Sequence, residues 1–134
     1  MILISSKNKE FPYEDSKYLY ESNRKYFKQT GHIPFDELYK ICKGNLWAVL
    51  VDGKVSGLMH FCCRDEKWFL SGCSRRKMFN HVSKAINIIC EHYCKYLKIY
   101  EIFAETSHLH ASLALKRAGF KKTDKELFRK VINV

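Results

Sequence analysis

Between Met78 and Leu97 the chain changes its period. Met78, Val82, Ala85, Ile86, Ile89, Tyr93, Tyr96 and Leu97 recur every three or four residues, the repeat of an amphipathic helix with one apolar face. The preceding residues follow another rule. Leu46 to Val51 and Lys54 to Cys63 are strand-like runs joined by Asp52-Gly53, a strong hairpin signal. Arg64-Asp65-Glu66 then turns the chain into a further run, Lys67 to Ser71. An antiparallel meander is thus followed at once by a long amphipathic helix, an order of elements consistent with an α/β (α+β) domain.

The flanking segments fill in the order. Met1 to Ser5 is a short first strand. Phe11 to Gln29 is rich in Tyr and charge, and Tyr18, Leu19, Tyr20, Tyr26 and Phe27 give an uneven helical stripe ending before Gly31. Pro34 to Lys43 reads as a short helix, with Asp36 and Glu37 in its first turn and Gly44 past its end. After the long helix come a strand from Ile99 to Glu105, a helix from about Ser107 to Ala118 and a Gly119 stop. Short strands from Phe120 to Thr123 and from Leu127 to Ile132 close the chain. The order is β-α-α-β-β-β-α-β-α-β-β in one domain, residues 1–134.

The net charge of +10 favours anionic partners. The cations are scattered, the densest run being Arg75-Arg76-Lys77. Nucleic-acid binding through this charge is a third, weaker reading, because no known binding motif accompanies it. No apolar stretch approaches the ~20 residues of a membrane span, and no secretory signal follows Met1, so a reducing, cytoplasmic compartment is expected. The six cysteines are then free thiols. Cys90 and Cys94 lie one helical turn apart without the further close ligands a metal site needs, and read as small buried hydrophobes. No metal ligand set is assigned.

Three segments carry a resemblance. They are the loop Ser71-Gly72-Cys73-Ser74-Arg75-Arg76-Lys77-Met78-Phe79, the strand–helix junction Glu105-Thr106-Ser107-His108, and the exit Leu115-Lys116-Arg117-Ala118-Gly119-Phe120. With the element order they resemble the GCN5-related N-acetyltransferase (GNAT) family over nearly the whole chain. The resemblance implies a central mixed, mostly antiparallel twisted sheet flanked by about four helices, binding acetyl-coenzyme A. Family members hold the coenzyme pyrophosphate on an Arg/Gln-x-x-Gly-x-Gly/Ala loop. The physics is that of backbone N–H donors at a helix start. Here only Gly72 is present, earlier than the family's glycines. Three adjacent cations stand in the loop, either as phosphate ligands or as solvated charges. The implied cofactor-binding residues are Leu70, Ser71, Gly72, Ser74, Arg75, Arg76, Lys77 and Met78.

The family's second signature is an Asn, an Ala or Ser, and a Tyr four residues before Gly-Phe. Those positions hold His108, Ala111 and Leu115, and Leu115 cannot donate a proton. The base that would free the acceptor amine is Glu105 or His108, with His60 and His110 as weaker candidates. Equally, Glu105 reads as a solvent-facing strand residue and His108 as a helix-start residue bonding its neighbours.

Trp68 to Gly72, the basic loop, Thr106-Ser107-His108 and Leu115-Lys116 with Gly119 are also similar to small GNAT-like, virion-associated proteins of short-tailed bacteriophages. That similarity implies a second role, in virion assembly or host-factor binding without catalysis. Partners are accordingly an acyl-CoA with an amine acceptor, or a protein. Homodimers are frequent in the family.

Overall fold

The computed structural model describes residues 1–27, 31–42, 44–75, 77–106 and 108–132. The elements are β1 (Ile2–Ser5), α1 (Tyr13–Asn23), a 3-10 turn (Arg24–Tyr26), α2 (Phe35–Cys42), β2 (Leu46–Val51), β3 (Lys54–Arg64), β4 (Lys67–Ser74), α3 (Phe79–Leu97), β5 (Glu101–Glu105), α4 (Leu109–Arg117), β6 (Lys121–Lys122) and β7 (Leu127–Val131). The seven strands form one sheet in the order β1-β2-β3-β4-β5-β7-β6. Neighbours are antiparallel except β4 and β5, which run parallel because α3 carries the chain across between them.

Strand alternation divides the core. On one face, Val49, Met59, Phe61, Leu70, Ile102, Ala104 and Phe128 pack beneath α3 and α4. On the other, Leu46, Ala48, Val55 and Leu58 pack against Leu19, Tyr20, Phe27, Phe35 and Leu38 of α1, α2 and their connection. The helix α3 buries Val82, Ala85, Ile86, Ile89, Cys90, Tyr93 and Cys94. Two cysteines thus occupy the seam as small apolar groups, and burial pushes the Cys90 thiol up to about 12. Tyr96, expected on the apolar stripe, instead lies outside with 74% exposure. Its ring stacks on that of His92 at 6.1 Å, while Leu97, the next residue, packs against the core. The helix stops at Lys98, whose φ of 56° is left-handed.

Polar contacts fix α3 in position. The Trp47 indole N–H donates to the Tyr93 hydroxyl (2.9 Å), which donates to Asn45 Oδ1 (2.9 Å). Ser83 donates to the Ala114 carbonyl at 3.0 Å and so ties α3 to α4. Lys130 of β7 donates to Asn87 and to the Ala118 carbonyl, joining the sheet to the middle of α3 and the end of α4.

The main departure from the sequence reading is β4, which runs to Ser74 rather than stopping at Ser71. Gly57 to Arg64 of β3 stays in register with Lys67 to Ser74 throughout. Gly72 is therefore a mid-strand residue opposite Met59, not part of a phosphate loop. A Cβ there would lie 2.7 Å from Met59 Cγ and 2.8 Å from the Leu58 carbonyl oxygen. Because the second contact is backbone, Gly72→Ala should cost about 2 kcal/mol, within the range for overpacking. Urea unfolding reads this, and an unchanged midpoint would refute the close approach.

His60 is wholly buried on β3, its ring 5.8 Å from that of Phe27. Burial lowers its pKa from 6.5 to about 4. The folded state thus resists a proton that the unfolded chain accepts. This share of stability is complete above pH 6.5 and is lost as pH falls toward 4. The loss is on the order of 3 kcal/mol. His60→Leu should flatten the stability profile across that window relative to the parent protein. Parallel profiles would contradict the assignment.

Candidate functional site

The parallel strands β4 and β5 pair only where Phe69 meets Phe103. Beyond that point they part, and the edge of β4 from Leu70 onward has no partner in β5. A cavity of about 420 Å³ fills the gap. Its lining comes from both sides of the sheet. Asn23, Tyr26 and Phe27 enter from the α1 side, and Val82, Ile86, Ala111, Ala114 and Leu115 from α3 and α4. Met59 and Ala104 line it from the sheet itself. The cavity therefore passes through the split between the two strands.

Of the residues expected to hold a cofactor, Leu70, Ser71, Gly72, Ser74, Arg75 and Lys77 line this cavity. Met78 does not; it is the cap residue of α3. Arg76 lies outside the described residues. The turn into α3 is held by backbone bonds: the Arg75 N–H donates to the Ser56 carbonyl (2.8 Å), Met78 to Arg75 (3.2 Å) and Val82 to Met78 (3.0 Å). Lys77 sits at φ 66°, the left-handed conformation that favours glycine. The turn thus has a glycine-like bend without glycine, at a cost of about 1 kcal/mol. Among the described residues no side chain caps the start of α3, and no acid occupies its first turn. Its first N–H groups, with Arg75 and Lys77 beside them, suit an anion.

Both residues expected as base, Glu105 and His108, line the cavity. Their surroundings differ. Arg64, at the end of β3, lays its guanidinium 4.4 Å from the Phe69 ring centre and donates to Glu105 Oε1 at 2.5 Å. Glu105 is half of an ion pair. His108 caps α4 without a side-chain bond, and its backbone N–H donates to Thr106 Oγ1 at 3.0 Å. Its ring lies 4.4 Å from that of Tyr26 and 5.5 Å from that of His110, which also lines the cavity. His60 is not part of the lining. Leu115 is buried in the wall, so that position supplies no hydroxyl.

Sequence reasoning did not single out Asn23, Tyr26 or Arg64. Tyr26 stands in an uneven stripe of buried and exposed residues at the 3-10 turn, and nothing in that local pattern marks it as a cavity residue. Arg64 looks like a turn residue, and its reach to Glu105 crosses 41 positions of sequence.

No family model matches the chain, and the search of curated protein sequences finds no match. Solved structures do match. A GNAT-family acetyltransferase from Bacillus anthracis superposes with a TM-score of 0.71 at 14% identity, covering 98% of this chain and 95% of that one. The aminoglycoside 6'-N-acetyltransferase from Enterococcus faecium gives 0.72 at 10% identity, covering 100% and 98%. A microcin C7 self-immunity acetyltransferase, solved with acetyl-CoA and AMP, gives 0.62 at 12% identity, covering 89% and 86%. At these identities the likeness is one of fold, and the chain carries the GNAT acetyltransferase fold over its full length.

Proposed function

We propose that this protein binds acetyl-coenzyme A and transfers the acetyl group to an amine. The observation that carries this reading is the cavity through the split between β4 and β5, lined by two cations, Arg75 and Lys77, from the turn into α3 and by an imidazole and a carboxylate, His108 and Glu105, from the β5–α4 junction. Neighbours solved with coenzyme A or acetyl-CoA share the fold.

The residues fit the group. Arg75, Lys77 and the first N–H groups of α3 would hold the pyrophosphate. Ser71, Gly72 and the open edge of β4 would face the acyl arm and offer backbone donors to the thioester oxygen. When bound, acetyl-CoA supplies an acetyl carbon whose bond to sulfur breaks as its bond to the acceptor nitrogen forms; the ammonium gives up two protons, one of them to the departing thiolate. His108 takes the other from the acceptor, since imidazole chemistry suits proton transfer near neutrality. Glu105, fixed by Arg64, orients the ammonium beside it. Leu115 contributes shape and water exclusion but no proton. Tyr26 brings a phenol into the cavity from the opposite wall.

The buried Leu115 also supports a second reading, a GNAT-fold protein with a binding or assembly role and no turnover, as in a phage particle. The aromatic segment adds little to it. Of Tyr13, Tyr18, Tyr20, Tyr26 and Phe27, only Tyr18 is mostly exposed, at 77%.

Calorimetric titration with acetyl-CoA separates the readings. Micromolar binding is expected, and no binding at millimolar ligand would remove the enzyme reading. Arg75→Ala with Lys77→Ala should weaken that binding roughly tenfold at low salt, and less at high salt because both side chains are exposed. Unchanged affinity would refute the phosphate assignment. In an active enzyme, His108→Ala should lower kcat by roughly 100-fold or more, the usual share of a general base. The cofactor dissociation constant should stay the same.

A further inference from the structure

We infer that the acceptor is a small zwitterionic amine, an α-amino acid or a close analogue, rather than a polycation. The inference rests on the acetyl-transfer reading and concerns the part of the cavity lined by Glu105, His108 and Tyr26.

Glu105 is the one carboxylate among the described residues that line the cavity. It arrives already matched to Arg64 at 2.5 Å, and the pair is accessible, with 44% of the Arg64 side chain and 28% of the Glu105 side chain exposed. The carboxylate is therefore a negative group with a positive one already beside it. A polyamine would have a single carboxylate for its several ammonium groups and would meet Arg64 as a like charge.

A zwitterion satisfies both partners. Its ammonium sits on Glu105, where it is also presented to His108. Its carboxylate sits on Arg64, whose guanidinium has five N–H donors, more than one carboxylate uses. The two charges of an α-amino acid are two bonds apart, a span suited to an ion pair whose members already touch. Beyond them, the Tyr26 and His108 rings, 4.4 Å apart, and the buried Phe27 give an aromatic wall for the remaining side chain.

The test uses the full chain loaded with coenzyme A for binding, and with acetyl-CoA for turnover. The probes are phenylalanine, leucine and glutamate, the carboxamide of each, and spermidine. At least one amino acid should bind the loaded protein by calorimetry and be acetylated, with kcat/KM roughly 10- to 100-fold above its amide, the value of a charge-assisted hydrogen bond. Arg64→Gln should abolish that preference while acetyl-CoA affinity is retained. Three results would overturn the inference: amides or spermidine preferred, a preference that survives in Arg64→Gln, or no binding of any amino acid at 10 mM. A failure of the acetyl-transfer reading itself would appear earlier and separately, as no binding of acetyl-CoA.

Discussion

The parting of β4 from β5 after the Phe69–Phe103 pair is the constraint on which the rest of this structure depends. A parallel pair joined through a helix normally continues its ladder. Here it stops after one pair. Met59 presses into the space that a side chain at Gly72 would need, and α4 is tied to α3 through Ser83 and to the sheet through Lys130. On the opposite face, Arg64 bridges over Phe69 to Glu105 and pins the end of β5 at the rim. The site's walls are thus ordinary core on either side of the sheet, and its reactive groups stand where the two strands have stopped pairing.

Much of this was legible in the sequence, and for definite reasons. The 3.6-residue repeat of α3 is strong because its face is fully buried on the sheet, and the Asp52-Gly53 hairpin is marked because both residues take positive φ. The end of β4 was not legible. Ser71-Gly72-Cys73-Ser74 has neither β-branched residues nor an apolar alternation, and only the register against Gly57 to His60 makes it a strand. Tyr26 and Arg64 were hidden for another reason. Their roles come from contacts with His108 and Glu105 that no local pattern encodes.

The loop into α3 shows how a backbone feature can outlive the residue usually associated with it. Glycine lowers the cost of a left-handed turn, yet Lys77 makes the turn with a side chain. Its cost is small beside the cooperative stability of a domain, and bonds from Arg75 to Ser56 and from Met78 to Arg75 hold the bend closed. Lys77 and Arg75 both line the cavity and bring positive charge to it. A glycine-rich loop holds phosphate by contact, whereas this one would hold it largely by field, and its grip would vary more with ionic strength.

Charge also distinguishes two groups of lining residues. Among the described residues Arg75 and Lys77 have no carboxylate partner within the lining, which favours a ligand that brings its own negative charge. Glu105 is matched by Arg64 before any ligand arrives. A cationic acceptor would therefore gain one attraction and meet an equal repulsion beside it, so its binding would rest on the aromatic wall alone. An acceptor with both charges gains at each partner without separating them, and avoids the cost of leaving a charged group without its match. A shared fold says nothing about this choice. It follows from one guanidinium reaching across one phenyl ring.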